Sequence, residues 1–172
     1  NNLSIRTVFP FLPDNLNFRD PDFNIVVTHL WPQSYWHEKG DILGNTYRLQ
    51  EINIILDSTI RKFPNEPNWT FMGDFNSVSS KDYYPANSSN DYDVTDAINA
   101  AGYEDAIHYK YGYKSNQSEN YTWAYYPTHR IDFLFATQAP LKNLIDAYPV
   151  YDAFTMKYSD HLHAVCAEFL IK

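Results

Sequence analysis

Trp69-Thr70-Phe71-Met72-Gly73-Asp74-Phe75-Asn76 is a short apolar run that breaks on a glycine and continues into an acid and an amide. Its length and its aromatic content predict a buried strand over 69–72, with Gly73, Asp74, Phe75 and Asn76 at the point where the strand stops. Just upstream, Pro64-Asn65-Glu66-Pro67 ends a predicted helix over 46–63. Within it Leu49, Ile52, Ile55, Leu56, Ile60 and Phe63 recur at three- and four-residue spacing and make one apolar stripe. Earlier still, the β-branched run at 23–28 follows a stretch rich in Pro, Asp and Asn and reads as a second buried strand.

Downstream, a polar loop covers 77–91. Val94, Ala97, Ile98 and Ala101 then form a short helix that Gly102 closes, with Asp91 or Asp93 as its N-cap. A loop at 112–120 leads to strands expected over 121–125, 130–137 and 163–170. Helices and strands alternate early and strands cluster late, which predicts an α/β fold with a mixed sheet. No linker divides the chain, and no segment repeats at a fixed period, so residues 1–172 are expected to form a single domain.

The 172 residues are 44% apolar and 17% aromatic, enough for one real core. A formal charge of −8 leaves no basic footprint for phosphate neutralisation, so nucleic acid is an admissible but not a favoured partner. Arg61, Lys62 and Lys110 read as solvated surface. Cys166 is the only cysteine, which excludes an intramolecular disulfide and reads as a small buried hydrophobe. No run approaches the roughly 20 apolar residues of a membrane span. The first residues lack a signal peptide's charged and apolar regions. The chain starts on Asn1 and not Met, which is expected of a mature or engineered fragment.

Four polar positions share one layout, a side chain placed where a strand runs out: His29, the Asp74/Asn76 pair, Asp132 and the Asp160-His161 pair. Functional groups gather at such ends because the strands hold them rigidly while the loops are free. Singly, each is more often a cap, a turn former or a solvated residue. Together and in order they resemble the endonuclease/exonuclease/phosphatase superfamily, whose fold is the deoxyribonuclease-I-like one. Gly73-Asp74-Phe75-Asn76 resembles its GDFN signature, and Ser159-Asp160-His161 its terminal SDH signature. Arg130-Ile131-Asp132-Phe133 resembles the motif between them, and Tyr121-Thr122-Trp123 the aromatic segment upstream. Thr28-His29-Leu30, followed by Pro32, matches the strand-terminal histidine.

The resemblance spans about residues 23–170 and implies part of a four-layer α/β sandwich with mixed β-sheets. It implies roles residue by residue. Asp74 would sit beside the attacking water or a metal, and Asn76 would hydrogen-bond the phosphoryl oxygens or hold that water. Asp160 would give a carboxylate to Mg2+, with Mn2+ an accepted substitute. His161 would be general base or charge stabiliser, with Asp132 fixing its tautomer. His29 would bind a phosphate oxygen or assist the leaving group. Two departures stand out. The family's usual Pro after the SDH motif is His163 here; His161 and His163 would share a strand face, but a surface-facing His163 is the reading adopted over a transition-metal pair. The family's earlier Asn and its Gln-Glu pair have no counterpart. Leu49-Gln50-Glu51 mimics the latter but lies inside the predicted helix, where Arg48 and Glu51 read as polar positions.

The chain is therefore expected to be the C-terminal portion of a metal-dependent phosphoester hydrolase, a nuclease, phosphodiesterase or phosphatase, incomplete as it stands. The competing readings are a catalytically inactive module that binds a phosphate ligand or a protein, and a structural domain whose strand-end polar residues are only turns. Loops 77–91 and 112–120 are expected to set substrate specificity. Apolar faces of strands 23–28, 69–72 and 163–170 are expected to need cover from a missing N-terminal half or another copy. Asn68, Asn87, Asn116 and Asn120 each begin an Asn-X-Ser/Thr triplet. These are compatible with an extracytoplasmic protein and assign no compartment.

Overall fold

A computed structural model of the chain describes residues 24–32, 42–82, 92–112, 122, 129–151, 153–161 and 163–170. In order they form β1 (Asn24–His29), α1 (Ile42–Ser58), β2 (Trp69–Asp74), α2 (Asp93–Ala100), β3 (Tyr103–Asp105) and α3 (Ala106–Tyr111). These are followed by β4 (Asp132–Thr137), α4 (Gln138–Leu141), β5 (Leu144–Tyr151), α5 (Ala153–Tyr158) and β6 (His163–Phe169).

Four strands make a mixed sheet in the order β1-β2-β4-β3, and β5 and β6 pair separately. The β1–β2 pairing is parallel, which the α1 crossover permits, whereas β4 runs antiparallel to both β2 and β3. Side chains alternate across the sheet. Phe71, Phe133 and Phe135 face one side, where they meet Ile52 and Leu56 of α1 and Val94 and Ile98 of α2. Leu134 and Ala136 face the other, against Ala106, Ile107, Leu141 and Ala147, with Val165, Ala167 and Phe169 of β6 packed around them. The described residues thus build helices, a four-stranded sheet and a two-stranded sheet in successive layers. The first core is held by ring contacts such as Phe71–Phe75 at 4.9 Å and Phe75–Phe135 at 5.3 Å, each edge-on. Pairs of this kind add about 0.5–1.5 kcal/mol beyond their area.

Several expectations shift. The helix read over 46–63 runs instead from Ile42 to Ser58. Thr59 Oγ1 donates to the Ile55 carbonyl at 2.7 Å, and the backbone then closes through turns in which Arg61 N and Lys62 N bond to Leu56 O and Thr59 O. A hydroxyl that bonds back into the last turn competes with helix continuation, and Phe63 is left exposed. The N-cap of α2 is Tyr92, not Asp91 or Asp93, and Asp93 is the first helical residue. Gly102 does follow the end of that helix, at φ 98°. Cys166 is half-buried. All of the strand expected over 121–125 except Thr122, most of the loops at 77–91 and 112–120, and the side chain of His163 lie outside the described residues. Since β6 begins at His163, His161 precedes the strand.

Candidate active site

The sheet register alone lines up the first part of the site. His29, the last residue of β1, pairs with Asp74, the last of β2, and Asp74 pairs with Asp132, the first of β4. Three side chains from segments far apart in sequence therefore stand in one row at one edge of the sheet, on the face turned toward the second sheet. Gly73 makes the approach possible. Its backbone holds φ 137°, and a Cβ there would lie 1.9 Å from the Thr28 carbonyl oxygen. Only glycine tolerates both conditions.

The other residues come in around Asp74. Asn76 sits at φ 47°, a left-handed conformation that Asn adopts more readily than most residues. Its backbone N–H donates to Asp74 Oδ1 at 2.7 Å, and its Nδ2 donates to Asp74 Oδ2 at 2.9 Å and to the Leu30 carbonyl at 3.1 Å. The amide group thus aims the Asp74 carboxylate and ties it to the end of β1. His161 arrives from the segment between α5 and β6, where its backbone N–H donates to Ser159 Oγ at 3.0 Å. Its Nδ1 lies 2.6 Å from Asp132 Oδ2, and its Nε2 lies 3.6 Å from Asp74 Oδ2. His29 Nε2 reaches the same Asp74 oxygen at 3.4 Å. Asp160 is exposed beside His161. The structure thus brings His29, Asp74, Asn76, Asp132 and His161 together, with Asp160 at the rim.

Burial, followed by the neighbouring Asp132 charge, pushes the Asp74 carboxyl up to about 6, and the Asn76 N–H and the two imidazoles only partly offset this. The hydrogen bond to Asp132, aided by the surrounding carboxylates and opposed by burial, pushes His161 up to about 9. At neutral pH, then, Asp74 is largely ionised yet poised to take a proton, and His161 is an imidazolium whose Nε2–H faces Asp74 Oδ2. Asp74 suits a general base better than His161 does, because a base works best with its pKa near the working pH.

Among the described residues there is no group of three or more His, Cys, Asp or Glu side chains placed to hold a metal ion. Both Asp74 oxygens are engaged by Asn76. The described residues therefore do not by themselves make a complete metal site, and Asp160 with Asp74 could supply only part of one.

Three features of the site escaped the sequence reading. Thr122 Oγ1 accepts the backbone N–H groups of Ile131 and Asp132, each at 3.1 Å, and so fixes the start of β4. Arg130 is buried: its Nε and Nη2 donate to Asp82 at 3.1 and 2.9 Å, Nη2 also donates to Asp105, and the guanidinium lies 4.4 Å over the Phe133 ring. Arg48, read as a polar helix position, is buried and donates to the Trp31 carbonyl at 3.3 Å. The partners of Arg130 lie 48 and 25 residues away, beyond any local pattern. The Tyr-Thr-Trp segment was noticed, but nothing in it signalled that the threonine hydroxyl would hold two amides.

No family model and no curated protein matches this sequence. Solved structures do match. A 3′ phosphatase NExo from Neisseria, bound to product DNA hairpin, superposes with a TM-score of 0.66 at 16% identity, over 87% of this chain and 62% of that one. An AP endonuclease from Archaeoglobus fulgidus gives 0.64 at 22%, over 87% and 62%. The catalytic domain of Xenopus laevis APE2 gives 0.57 at 15%, over 91% and 55%. The chain has the deoxyribonuclease-I-like α/β fold, with mixed sheets, of the endonuclease/exonuclease/phosphatase proteins. It spans about three-fifths of the length of the first two structures.

Proposed function

We propose that this chain is the C-terminal portion of an endonuclease/exonuclease/phosphatase-family enzyme that hydrolyses a phosphoester with Mg2+, Mn2+ serving in its place. The observation that carries this reading is the convergence of His29, His161 and Asn76 on the Asp74 carboxylate, with Asp132 behind His161. Asp74, held by Asn76, takes a proton from a water as its oxygen bonds to phosphorus. The bond from phosphorus to the leaving oxygen breaks as charge builds on the phosphoryl oxygens. His161, kept protonated by Asp132, and the exposed His29 face that charge and donate to it. A bound Mg2+ would polarise a phosphoryl oxygen, with Asp160 offering a carboxylate, since Mg2+ takes few protein carboxylates and completes its shell with water and phosphate. The matched fold in a 3′ phosphatase and in AP endonucleases supports a phosphoester as substrate.

The test is hydrolysis of a phosphoester panel with Mg2+, using this chain and the longer protein that carries it. Asp74→Asn and Asp160→Asn should each abolish Mg2+-dependent turnover, and Asp160→Asn, at an exposed position, should move the unfolding free energy by less than about 1 kcal/mol. Full activity of either variant, or of the native protein in excess chelator, would discard the assignment. The incomplete metal site among the described residues favours one second reading, a module that binds phosphate ligands without hydrolysing them. Saturable binding with no turnover in the longer protein would select it.

A further inference from the structure

Two residues past His29, the backbone of Trp31 is held from both sides by α1. Glu51 Oε2 accepts the Trp31 N–H at 2.8 Å, and the buried Arg48 donates from Nη1 to the Trp31 carbonyl at 3.3 Å. The indole itself is left half exposed, as is the ring of Tyr47, and the two touch at 5.5 Å between centroids with a 43° tilt. Adjacent exposed aromatics of this kind offer a ready apolar, π-rich surface to a ligand. Core packing does not explain it, because neither ring belongs to the buried clusters. Nor is it a floppy surface side chain, because Trp31 is fixed at its backbone and Tyr47 braces its ring. The next residue back, Leu30, accepts from Asn76 Nδ2 and donates its N–H to the Asp74 carbonyl. Two residues of extended chain span about 7 Å at most. The Trp31 backbone therefore lies within about 7 Å of that of His29, at the end of the sheet where the site residues stand, and is anchored to the same framework.

We propose that Trp31, braced by Tyr47, is a stacking platform for a nucleobase next to the scissile phosphate, so that the substrate is a nucleotide-bearing phosphoester and not a lipid or inositol phosphate. This rests on the phosphoesterase reading of the neighbouring site. The rings touch, so nothing inserts between them, and what is offered to a planar base is the outer π-face of the Trp31 indole, with Tyr47 tilted 43° behind it. Stacking on such a face is indifferent to sequence and adds affinity without the basic surface that this acidic chain lacks. Held at one base, it suits a short, single-stranded or terminal nucleotide better than a long duplex.

Calorimetric titration of the native chain with adenosine monophosphate and with ribose 5-phosphate isolates the base, since both carry the same sugar phosphate. The nucleotide should bind about tenfold or more tightly than the sugar phosphate, the scale of one base–aromatic stack. Trp31→Ala should bring the nucleotide down to the sugar phosphate's affinity and leave the latter unchanged. Trp31→Phe, which keeps a ring, should retain most of the preference, and this guards against a variant that merely misfolds. Equal binding of the two ligands by the native chain, or an undiminished preference in Trp31→Ala, would overturn the platform. So would phosphocholine binding more tightly than the nucleotide in a Trp31-dependent manner, because that would make the rings a site for a quaternary ammonium. The hydrolase reading fails separately: it falls if Asp74→Asn leaves turnover intact, whatever happens to base preference.

Discussion

A methyl group at position 73 would have nowhere to go, because the Thr28 carbonyl oxygen would lie 1.9 Å from it. Gly73→Ala should therefore force β1 and β2 apart just before Asp74 and cost about 2–3 kcal/mol or more, combining a clash with a disfavoured φ. Chemical denaturation measures the cost, and a loss under about 1 kcal/mol would show that the strand relaxes freely. The two shifted groups beside it predict the pH behaviour. Turnover should rise as Asp74 deprotonates near pH 6 and fall as His161 loses its proton near pH 9, giving a plateau between. A profile with neither limb would separate these groups from the reaction. Stability has the same sign for both residues, because each pKa is raised by folding. Asp74's contribution is complete below its ordinary 3.8 and is lost as pH rises through about 6, and His161's is complete below 6.5 and is lost through about 9. Melting temperature should therefore decline across both windows, and His161→Asn should flatten the upper one. That His29, Asp74, Asn76, Asp132 and His161 would converge was legible because signature words carry them. How Asp74 and His161 titrate was not, because that depends on burial and on neighbours that no motif encodes.

Between strands, the chain spends a buried charge on geometry. Arg130 ties Asp82, after β2, to Asp105, at the end of β3, and its guanidinium lies over Phe133 of β4. Asp105 is itself the N-cap of α3, so the same carboxylate serves the helix start and the arginine. Arg130→Met should leave two carboxylates without their partner and cost about 3–5 kcal/mol. Arg130→Lys should recover only part of this, because an ammonium cannot bridge both acids with the same fork. Urea unfolding of the three proteins checks the order, and a lysine variant as stable as the native one would show that charge alone matters. Some elements were readable from their patterns: α1 from its apolar stripe, β2 and β4 from their apolar runs. Others were not. β3 has three residues, too few to display a period, and β5 carries Asp146 and Pro149 in a sequence that reads as non-strand. Pro149 is tolerated because the two-stranded sheet leaves β5 an open edge.

The layers do not cover one another evenly. β2 is buried along Trp69, Thr70 and Phe71, whereas Val27 of β1 is exposed on the face that carries His29. In the second sheet Ile145 and Val150 of β5 are exposed, as is Leu170 just past β6. Of the three strands expected to be uncovered, 23–28 is exposed at Val27 and 163–170, among its large apolar residues, only at Leu170, since Val165 and Phe169 pack with Ala167 on the second core. β2 is buried, and the exposed Ile145 and Val150 belong to β5, outside that expectation. We expect these faces to draw in a second copy of the chain or, where residues precede it in a longer protein, those residues. Sedimentation velocity on the isolated chain should show species heavier than its 20.2 kDa, which disappear when the preceding residues are supplied in cis. A single 20.2 kDa boundary at high micromolar concentration would show that these faces are content in water. Among the described residues no helix is long and apolar enough to cross a membrane.

The row of His29, Asp74 and Asp132 also bears on when the ordering of the site takes place. Each member belongs to a backbone ladder, and Leu30 N–H to Asp74 O and Phe75 N–H to Ile131 O extend the stitching one residue past it. None can drift without opening the sheet. The entropy of ordering them is spent once, when the chain folds, and not again at each encounter with a substrate. The amides of Leu30 and Phe75 should accordingly exchange with deuterium only through global opening, keeping pace with those of Phe133 and Phe135 in the core.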